Sequence, residues 1–144
     1  MTRDPAADPA VLLLDPSSFT PYYDAHLGGA LARAGWRVEW VTSRWEFEDV
    51  PAPDGVTRRN AFFAALRRAP FDRLTAGSER AGLRRVLKGL LYPFDALRTA
   101  RELRRRPPGI LHVQWAHLPW LDAHLWRALR GSGLPFHLVG ARLQ

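Results

Sequence analysis

The residues of this chain that could recognise a polar ligand gather in two short segments. The first is Asp15-Pro-Ser-Ser-Phe-Thr-Pro-Tyr-Tyr23, which offers the hydroxyl groups of Ser17, Ser18 and Thr20. Backbone N–H groups at the start of a following helix would favour an anion or a polar hydroxyl group here. The same residue types also cap helices and form turns, so a purely local role is the alternative.

The second segment is His112-Val-Gln-Trp-Ala-His-Leu-Pro-Trp-Leu-Asp122. Gln114 and Trp115 offer an amide and a flat ring, a combination that suits the hydroxyl groups and the C–H face of a pyranose, and His117 stands beside them. The structural alternative places the tryptophans in the core, with Trp120 the stronger candidate for packing. In that alternative His112 is a hydrogen-bonded core histidine and Asp122 is an acid at a helix start.

Other site chemistries find no support in the motifs. The sequence has no H-E-x-x-H pattern, G-x-S-x-G elbow or Walker loop, so it predicts no metal centre, no hydrolytic nucleophile and no bound cofactor. Gly28-Gly29 lies inside a predicted helix without the spacing of a phosphate loop, which favours close packing of that helix on a sheet. The absence of cysteine excludes disulfides and thiolate metal sites.

A third candidate surface is cationic. Residues 58–106 hold 14 basic and 4 acidic residues, a net charge of +10 in a chain whose total is +7. Within this segment one predicted helical face is apolar and has basic neighbours; it comprises Leu83, Val86, Leu87, Leu90 and Leu91, beside Arg84, Arg85 and Lys88. We expect the apolar face to pack on the core. Contact of the basic edge with an anionic membrane surface is expected as a secondary role. No nucleic-acid-binding motif accompanies the charge, so no nucleic acid is expected as a partner.

The composition predicts one globular domain. The 144 residues are 47% hydrophobic and 24% charged, which is the profile of a folded soluble protein rather than a disordered one. No apolar run approaches the roughly 18–20 residues that span a bilayer, and the N-terminal segment lacks the pattern of a signal peptide. We therefore expect a cytoplasmic protein, and a peripheral position at the inner face of the membrane is the alternative.

The predicted elements alternate between strands and helices. Strands are expected at residues 10–15, 36–43, 109–115 and 134–139, with an edge strand at 56–63, and helices at 22–34, 78–106 (kinked at Pro93) and 121–130. This order is typical of an α/β, Rossmann-like doubly wound parallel sheet. Ligands of such sheets bind beyond the carboxyl ends of the strands, where the loops at 15–23, 42–47 and 114–122 should meet.

The order and spacing of the motifs resemble the N-terminal domain of retaining GT-B glycosyltransferases of family 4, often called glycosyltransferase family 1 or group 1. The resemblance covers residues 10–139 and is carried by Asp15-Pro-Ser-Ser-Phe-Thr-Pro-Tyr-Tyr-Asp24, Leu27, Ala34-Gly-Trp-Arg-Val38, Thr42-Ser-Arg-Trp45 and His112-Val-Gln-Trp115 followed by Pro119 and Asp122. It implies the N-terminal half of a GT-B fold. It also implies transfer of a hexosyl unit from a nucleoside-diphosphate sugar to an acceptor, with retention and without a required metal.

The resemblance also implies which residues contact the acceptor, and where the chain departs from the family. The implied contacts are Ser17, Ser18, Tyr22, Tyr23, Gln114 and Trp115, with His117 at the edge of the cleft. The family's Thr-x-His-Asn motif should follow the strand at 134–139, where this chain has Val139-Gly-Ala-Arg142, so no catalytic residue is assigned. The second Rossmann-like domain of the family has no counterpart within the 144 residues.

These departures set the expected organisation. We expect a disordered tail at 1–9, a Rossmann-like acceptor-side domain at 10–139 and an aberrant or truncated terminus at 140–144. The chain should be inactive alone, and a sugar acceptor and a nucleotide sugar should be the partners of the full-length enzyme. Two alternatives stay open: a stand-alone, non-catalytic carbohydrate- or nucleotide-binding module, and a basic membrane-surface interaction domain.

Overall fold

A computed structural model describes residues 10–44, 48–68, 73, 80–130 and 136–138 of the chain. Within these ranges the strands and helices follow one another in the order that the sequence predicts. The elements are β1 (Val11–Asp15), α1 (Pro21–Arg33), β2 (Val38–Thr42), β3 (Val56–Asn60), a 3-10 turn (Ala64–Arg67), α2 (Ala81–Arg105), β4 (Ile110–Val113), α3 (Pro119–Arg130) and β5 (Phe136–Leu138). The residues expected to form the N-terminal tail and the aberrant terminus lie outside the described ranges.

The five strands form one parallel sheet in the order β3-β2-β1-β4-β5. The central strand β1 pairs with β2 on one side and β4 on the other, so that Leu13 lies between Trp40 and His112. The chain builds β2 and β3 outward from β1 and then returns to the opposite side for β4 and β5. The strand order therefore reverses between β1 and β4, and their carboxyl ends flank the switch point at which such sheets bind ligands.

Alternating side chains of β1 belong to two separate hydrophobic cores, one on each face of the sheet. Leu12 and Leu14 point to the face that α2 and α3 cover, whereas Val11 and Leu13 point to the face that α1 covers. A strand buried on both faces has apolar residues at consecutive positions, which explains the uninterrupted apolar run of β1. The predicted α/β doubly wound sheet is confirmed.

The pair Gly28-Gly29 serves the packing of α1 on the sheet. Both glycines are buried, and a Cβ atom on Gly28 would lie 3.4 Å from side-chain atoms of both Leu13 and Val56. On Gly29 it would lie 3.2 Å from Pro53. The prediction that these glycines allow close approach of helix and sheet is confirmed.

The start of α3 differs from the prediction and changes the environment of a tryptophan. The helix begins at Pro119, a residue that suits the first helical turn because its fixed φ is helical and it has no N–H to leave unpaired. Trp120 then falls on the outer side of the first turn and is 66% exposed, while Leu121 and Leu125 pack against the core. The expectation that Trp120 is a packing residue is wrong.

The face that α2 turns towards the sheet also differs from the prediction. Its buried residues are Tyr92, Ala96, Thr99, Ala100 and Leu103. Leu87 and Leu91 pack only partly against the core, and the other three members of the predicted apolar face are exposed. With two further residues they form a stripe whose members are 38–73% exposed and recur every three or four positions; this outer α2 stripe comprises Leu83, Val86, Leu90, Phe94 and Leu97.

The three basic residues singled out in α2 do not border the outer α2 stripe. Lys88 and Arg85 precede Tyr92 by one and two helical turns, which places them on the side of the helix that carries Tyr92. Only Arg85 is exposed, whereas Arg84 and Lys88 are half-buried. No helix within the described part of the chain is long and apolar enough to cross a membrane.

Candidate functional site

Two loops meet at the carboxyl edge of the sheet, one after β1 and one after β4. Ser17 Oγ is hydrogen-bonded to His117 Nδ1, and Trp115 Nε1 donates to Thr20 Oγ1 at 3.0 Å. The ring of Phe19 packs edge-on against Trp115, with 6.1 Å between the ring centroids. The topology thus brings together the two segments that the sequence singled out, although about a hundred residues separate them.

The loop after β1 turns back on itself at Ser18. The backbone of Ser18 has a left-handed φ of 52°, its N–H donates to the Asp15 carbonyl at 3.3 Å, and its side chain is buried. The hydroxyl group of Thr42 donates to the same carbonyl at 2.7 Å, which ties this turn to the end of β2. Ser17 therefore faces the loop after β4, while the Ser18 hydroxyl group lies in the interior.

Exposed aromatic rings surround this edge. Tyr22 and Tyr23 lie on the first turn of α1 and are about half exposed. Phe19, Trp115 and Trp120, on the loops and the first turn of α3, are also exposed. Flat apolar surfaces beside hydroxyl groups are suited to ligands that combine polar groups with apolar faces, as sugars do.

Gln114 lies at the floor of the site rather than at its mouth. It follows the last residue of β4, is buried, and its N–H donates to the Leu14 carbonyl at 2.9 Å. Its Oε1 lies 2.8 Å from His112 Nε2. Because a carbonyl oxygen only accepts, the His112 ring donates from Nε2, so half of the Gln114 amide is already engaged within the protein.

His117 is held between aromatic rings. Its ring centroid lies 4.7 Å from that of Tyr92 and 5.6 Å from that of Phe63. Burial lowers the pKa of His117, and the nearby ammonium group of Lys88 lowers it further. The imidazole is therefore neutral at neutral pH, and Ser17 shares a hydrogen bond with a neutral ring.

Asp122 joins the start of α3 to α2. Its Oδ1 accepts a hydrogen bond from the hydroxyl group of Tyr92, and its Oδ2 accepts from the Leu118 N–H at 2.9 Å. Burial raises the pKa of Tyr92, and the charge of Asp122 raises it further, so the phenol stays protonated and donates. The structural alternative for Asp122, an acid at a helix start, is confirmed.

A second pair of acids was missed by the sequence analysis. Asp15 ends β1, Asp24 lies in the first turn of α1, and their buried carboxyl groups interact with each other. Both ends of the motif that begins at Asp15 and ends at Asp24 thus meet in space. The sequence contained one signal for this pair: the two aspartates are the first and last residues of one motif, one at the end of a strand and the other near the start of a helix.

A cavity of about 420 Å³ lies elsewhere, on the face of the sheet that α2 covers, beside the last turn of α2. Its wall contains Arg59, which pairs with Glu39 at 2.8 Å and with Glu102 at 2.9 Å. These ion pairs satisfy the charges within the protein, and the cavity is remote from the switch point. Within the described ranges, no three His, Asp or Glu side chains gather in a metal-binding arrangement.

Comparisons with known proteins support the fold. No protein-family model matches the sequence, and no curated protein matches it significantly. The structure is similar to that of Os79 from O. sativa in complex with UDP, with a TM-score of 0.53 and 21% identity over 89% of this chain. A structure of Os79 with UDP and deoxynivalenol-3-glucoside gives a TM-score of 0.51 and 21% identity.

The similarity to the Os79 structures concerns the fold and covers only part of their length. The similarity shows the fold: this chain has the Rossmann-like α/β fold of the aligned part of the Os79 structures. The aligned region is 28% of the Os79 chain, so this chain spans well under half the length of the solved structures it matches.

Proposed function

We propose that this chain supplies the acceptor-side half of a glycosyltransferase that moves a glycosyl unit from a nucleoside-diphosphate sugar to an acceptor. One observation carries the proposal: the loops after β1 and β4 join at the switch point of a GT-B-type half-domain and bring Ser17, Trp115 and His117 together. The Os79 structures contain UDP and, in one case, a glucoside, which supports a nucleotide sugar and an acceptor as the partners.

The geometry suggests how the acceptor contacts are divided. A hydroxyl group has one donor and two acceptor sites, so Ser17 retains hydrogen-bonding capacity beyond its contact with His117. The exposed rings of Tyr22, Tyr23 and Trp115 are placed to pack on apolar faces of the acceptor. Gln114 and Ser18, both buried, support these residues from behind.

The finer assignment rests on the motif resemblance. In this proposal the enzyme is a retaining family 4 hexosyltransferase of the cytoplasm that requires no metal. The nucleotide-binding groups lie on a second, donor-side half outside residues 1–144. Because the transition state needs groups from both halves, residues 1–144 alone are catalytically inactive.

Acceptor binding and transfer by residues 1–144 test this proposal. Screened on an array of saccharides and lipid-linked glycans, the chain should bind an acceptor without a nucleotide sugar, and it should transfer nothing from UDP-sugars. Trp115→Ala should weaken the affinity of the best ligand by about tenfold, since loss of an aromatic contact of about 1.4 kcal/mol is one factor of ten. Calorimetric titration measures this change.

Trp36→Ala is the matched control for that test. Trp36 is also an exposed tryptophan, but it precedes β2 and therefore lies at the opposite edge of the sheet. Its replacement should leave the affinity unchanged. Sugar transfer by residues 1–144, or an equal loss of affinity in both variants, would contradict the proposal.

The outer α2 stripe favours a second candidate role, docking of this half on an anionic membrane surface. Five apolar side chains are exposed along one side of α2, and Arg101 and Arg104 continue that side one and two turns beyond Leu97. An exposed apolar stripe with basic residues at its end is the pattern of a helix that lies in the headgroup region. Its location would then be peripheral, at the inner face of the membrane.

Vesicle binding tests this second role. Leu90→Asp should reduce binding to vesicles of phosphatidylglycerol and phosphatidylcholine, with an unchanged circular dichroism spectrum because Leu90 is exposed. Replacing Arg101 and Arg104 together by Glu should weaken binding by at least tenfold, since each basic residue near the surface contributes about 1 kcal/mol. Added salt should weaken wild-type binding in the same direction.

Two results would contradict the membrane role. One is equal binding of the wild type to neutral and anionic vesicles. The other is an equal loss of binding in Trp36→Asp, which places a charge at an exposed position far from the outer α2 stripe.

A further inference from the structure

A pair of buried carboxyl groups anchors the loop after β1 to the first turn of α1. Asp15 is 1% exposed and Asp24 is 2% exposed, their side chains interact with each other, and one oxygen of each, Asp15 Oδ1 and Asp24 Oδ2, is buried with no hydrogen-bond donor from the rest of the described structure. A carboxylate only accepts hydrogen bonds, so a bond between two carboxyl groups requires one of them to carry a proton. Two ionised carboxylates in contact would also repel strongly at a buried position.

The surroundings assign the proton to Asp24. Burial raises the pKa of Asp15 as well, but its carboxyl group accepts a hydrogen bond from the Thr20 N–H at 3.5 Å, and this bond and the nearby backbone of Ser17 and Phe19 lower the pKa. Such donors favour the ionised form of Asp15. Within the described structure Asp24 has no backbone donor of this kind, and burial together with the neighbouring Asp15 raises the pKa of Asp24 to about 9.

No cation neutralises the pair within the described part of the chain. Two titratable groups on neighbouring strands share the α1 side of the sheet with Asp15, but both have other partners. His112 of β4 bonds to Gln114, and Arg58 of β3 donates to the Val50 carbonyl.

Arg33 of α1 and Arg44, which follows β2, are exposed. Glu39 of β2 and Arg59 of β3 pair on the opposite face of the sheet, and His26 of α1 is exposed. A proton is therefore the positive charge that the described structure provides for Asp15 and Asp24.

We propose that Asp24 is a positioning residue of the candidate acceptor site, which donates a hydrogen bond to the Asp15 carboxylate and thereby holds the loop that brings Ser17 to His117 and Thr20 to Trp115. The Thr20 N–H bonds to the Asp15 carboxylate and the Ser18 N–H bonds to the Asp15 carbonyl, so fixing Asp15 fixes the loop. The left-handed φ of Ser18 is unfavourable for a serine and needs such support. Only the assignment of this loop to an acceptor site rests on the proposed function; the hold of Asp24 on the loop does not.

Loss of the proton should release the loop. When Asp24 ionises, the hydrogen bond to Asp15 disappears and two carboxylates face each other in a buried position. Thr20 then moves away from the indole N–H of Trp115, which reports the position of the loop.

NMR spectroscopy of the whole chain, with labelled aspartate and tryptophan, tests the proposal. The Asp24 carboxyl group should be protonated at neutral pH and should titrate with a midpoint near 9. The Trp115 indole resonance should shift in the same transition. In Asp24→Asn, whose amide can still donate to Asp15, the resonance should stay at its neutral-pH position and the alkaline transition should vanish.

Further variants separate positioning from a general structural effect. Asp24→Ala should move the Trp115 resonance at neutral pH to the position that the wild type reaches only above the transition. Asp54→Asn, at an exposed aspartate, should change neither the neutral-pH position of the Trp115 resonance nor its alkaline transition. If Asp24→Ala does not fold, the wild-type titration and Asp24→Asn still decide the question.

Two results would overturn the proposal: an Asp24 carboxyl group that is already ionised at neutral pH, or an Asp24→Asn variant that still shows the alkaline shift of Trp115. Neither measurement needs a saccharide, so it is independent of the proposed function. Absence of acceptor binding with an intact alkaline transition would count against the proposed function alone.

Discussion

The free energy of unfolding of the wild-type chain should fall as the pH rises from about 5 to about 9, by roughly 1 kcal/mol per pH unit from Asp24. In the folded chain burial raises the pKa of Asp24 from 3.8 to about 9. Between these values the folded state keeps a proton that the unfolded state has lost. The stabilisation from Asp24 is thus complete below 3.8 and is lost as the pH rises through the folded pKa.

Asp24→Asn is the informative variant for this pH dependence. Its side chain is neutral in both states, so the folded state no longer has to hold an extra proton. Urea denaturation at a series of pH values should show a much smaller slope for Asp24→Asn than for the wild type, and a higher stability for the variant at neutral pH. Asp54→Asn should retain the wild-type slope; equal slopes in wild type and Asp24→Asn would contradict the assignment.

Tyr92 should give the largest loss of stability among single substitutions around the site. Its ring is fully buried and stacks on Phe62 at a centroid distance of 5.9 Å, and its hydroxyl group donates to Asp122. Tyr92→Ala removes most of a large core side chain, which costs about 3–5 kcal/mol. Tyr92→Phe keeps the ring but leaves a buried Asp122 oxygen without its donor, which costs about 1–3 kcal/mol.

The same substitutions at Tyr23 provide the comparison. Tyr23 is about half exposed on the first turn of α1, so its replacement by Phe should change the stability by less than about 0.5 kcal/mol. Thermal and urea unfolding measure both series. A Tyr92→Phe variant as stable as Tyr23→Phe would show that the hydroxyl group does not support Asp122.

The sheet and its switch point were predictable because their determinants are local and periodic. The apolar run of β1 indicates burial on both faces, and Gly28 inside a helical pattern indicates close packing. Given parallel strands, the carboxyl-end loops must meet, which predicts that Ser17 and His117 share one edge. Their direct hydrogen bond depends on the turn at Ser18, which no propensity specifies.

The orientation of α2 and the pairing of the acids could not be predicted in the same way. Apolar residues occur on two sides of α2, so periodicity alone could not rank the side of Leu90 against the side of Tyr92. Tertiary packing determines which side of α2 faces the core, because the Tyr92 ring packs among Phe62, Phe63 and His117. Asp15 and Asp24 each suit a loop or a helix start, and only the folded turn brings their buried side chains together.

The position of β1 at the centre of the sheet has a consequence for the synthesis of the chain. One edge of β1 pairs with β2, which follows soon after it, but the other edge pairs with β4 at Ile110–Val113. As the ribosome produces the chain, an apolar strand edge therefore stays unpaired until most of the sequence has emerged. An unpaired strand edge is a template for association with other chains, so we expect the nascent domain to be prone to association until β4 pairs with β1.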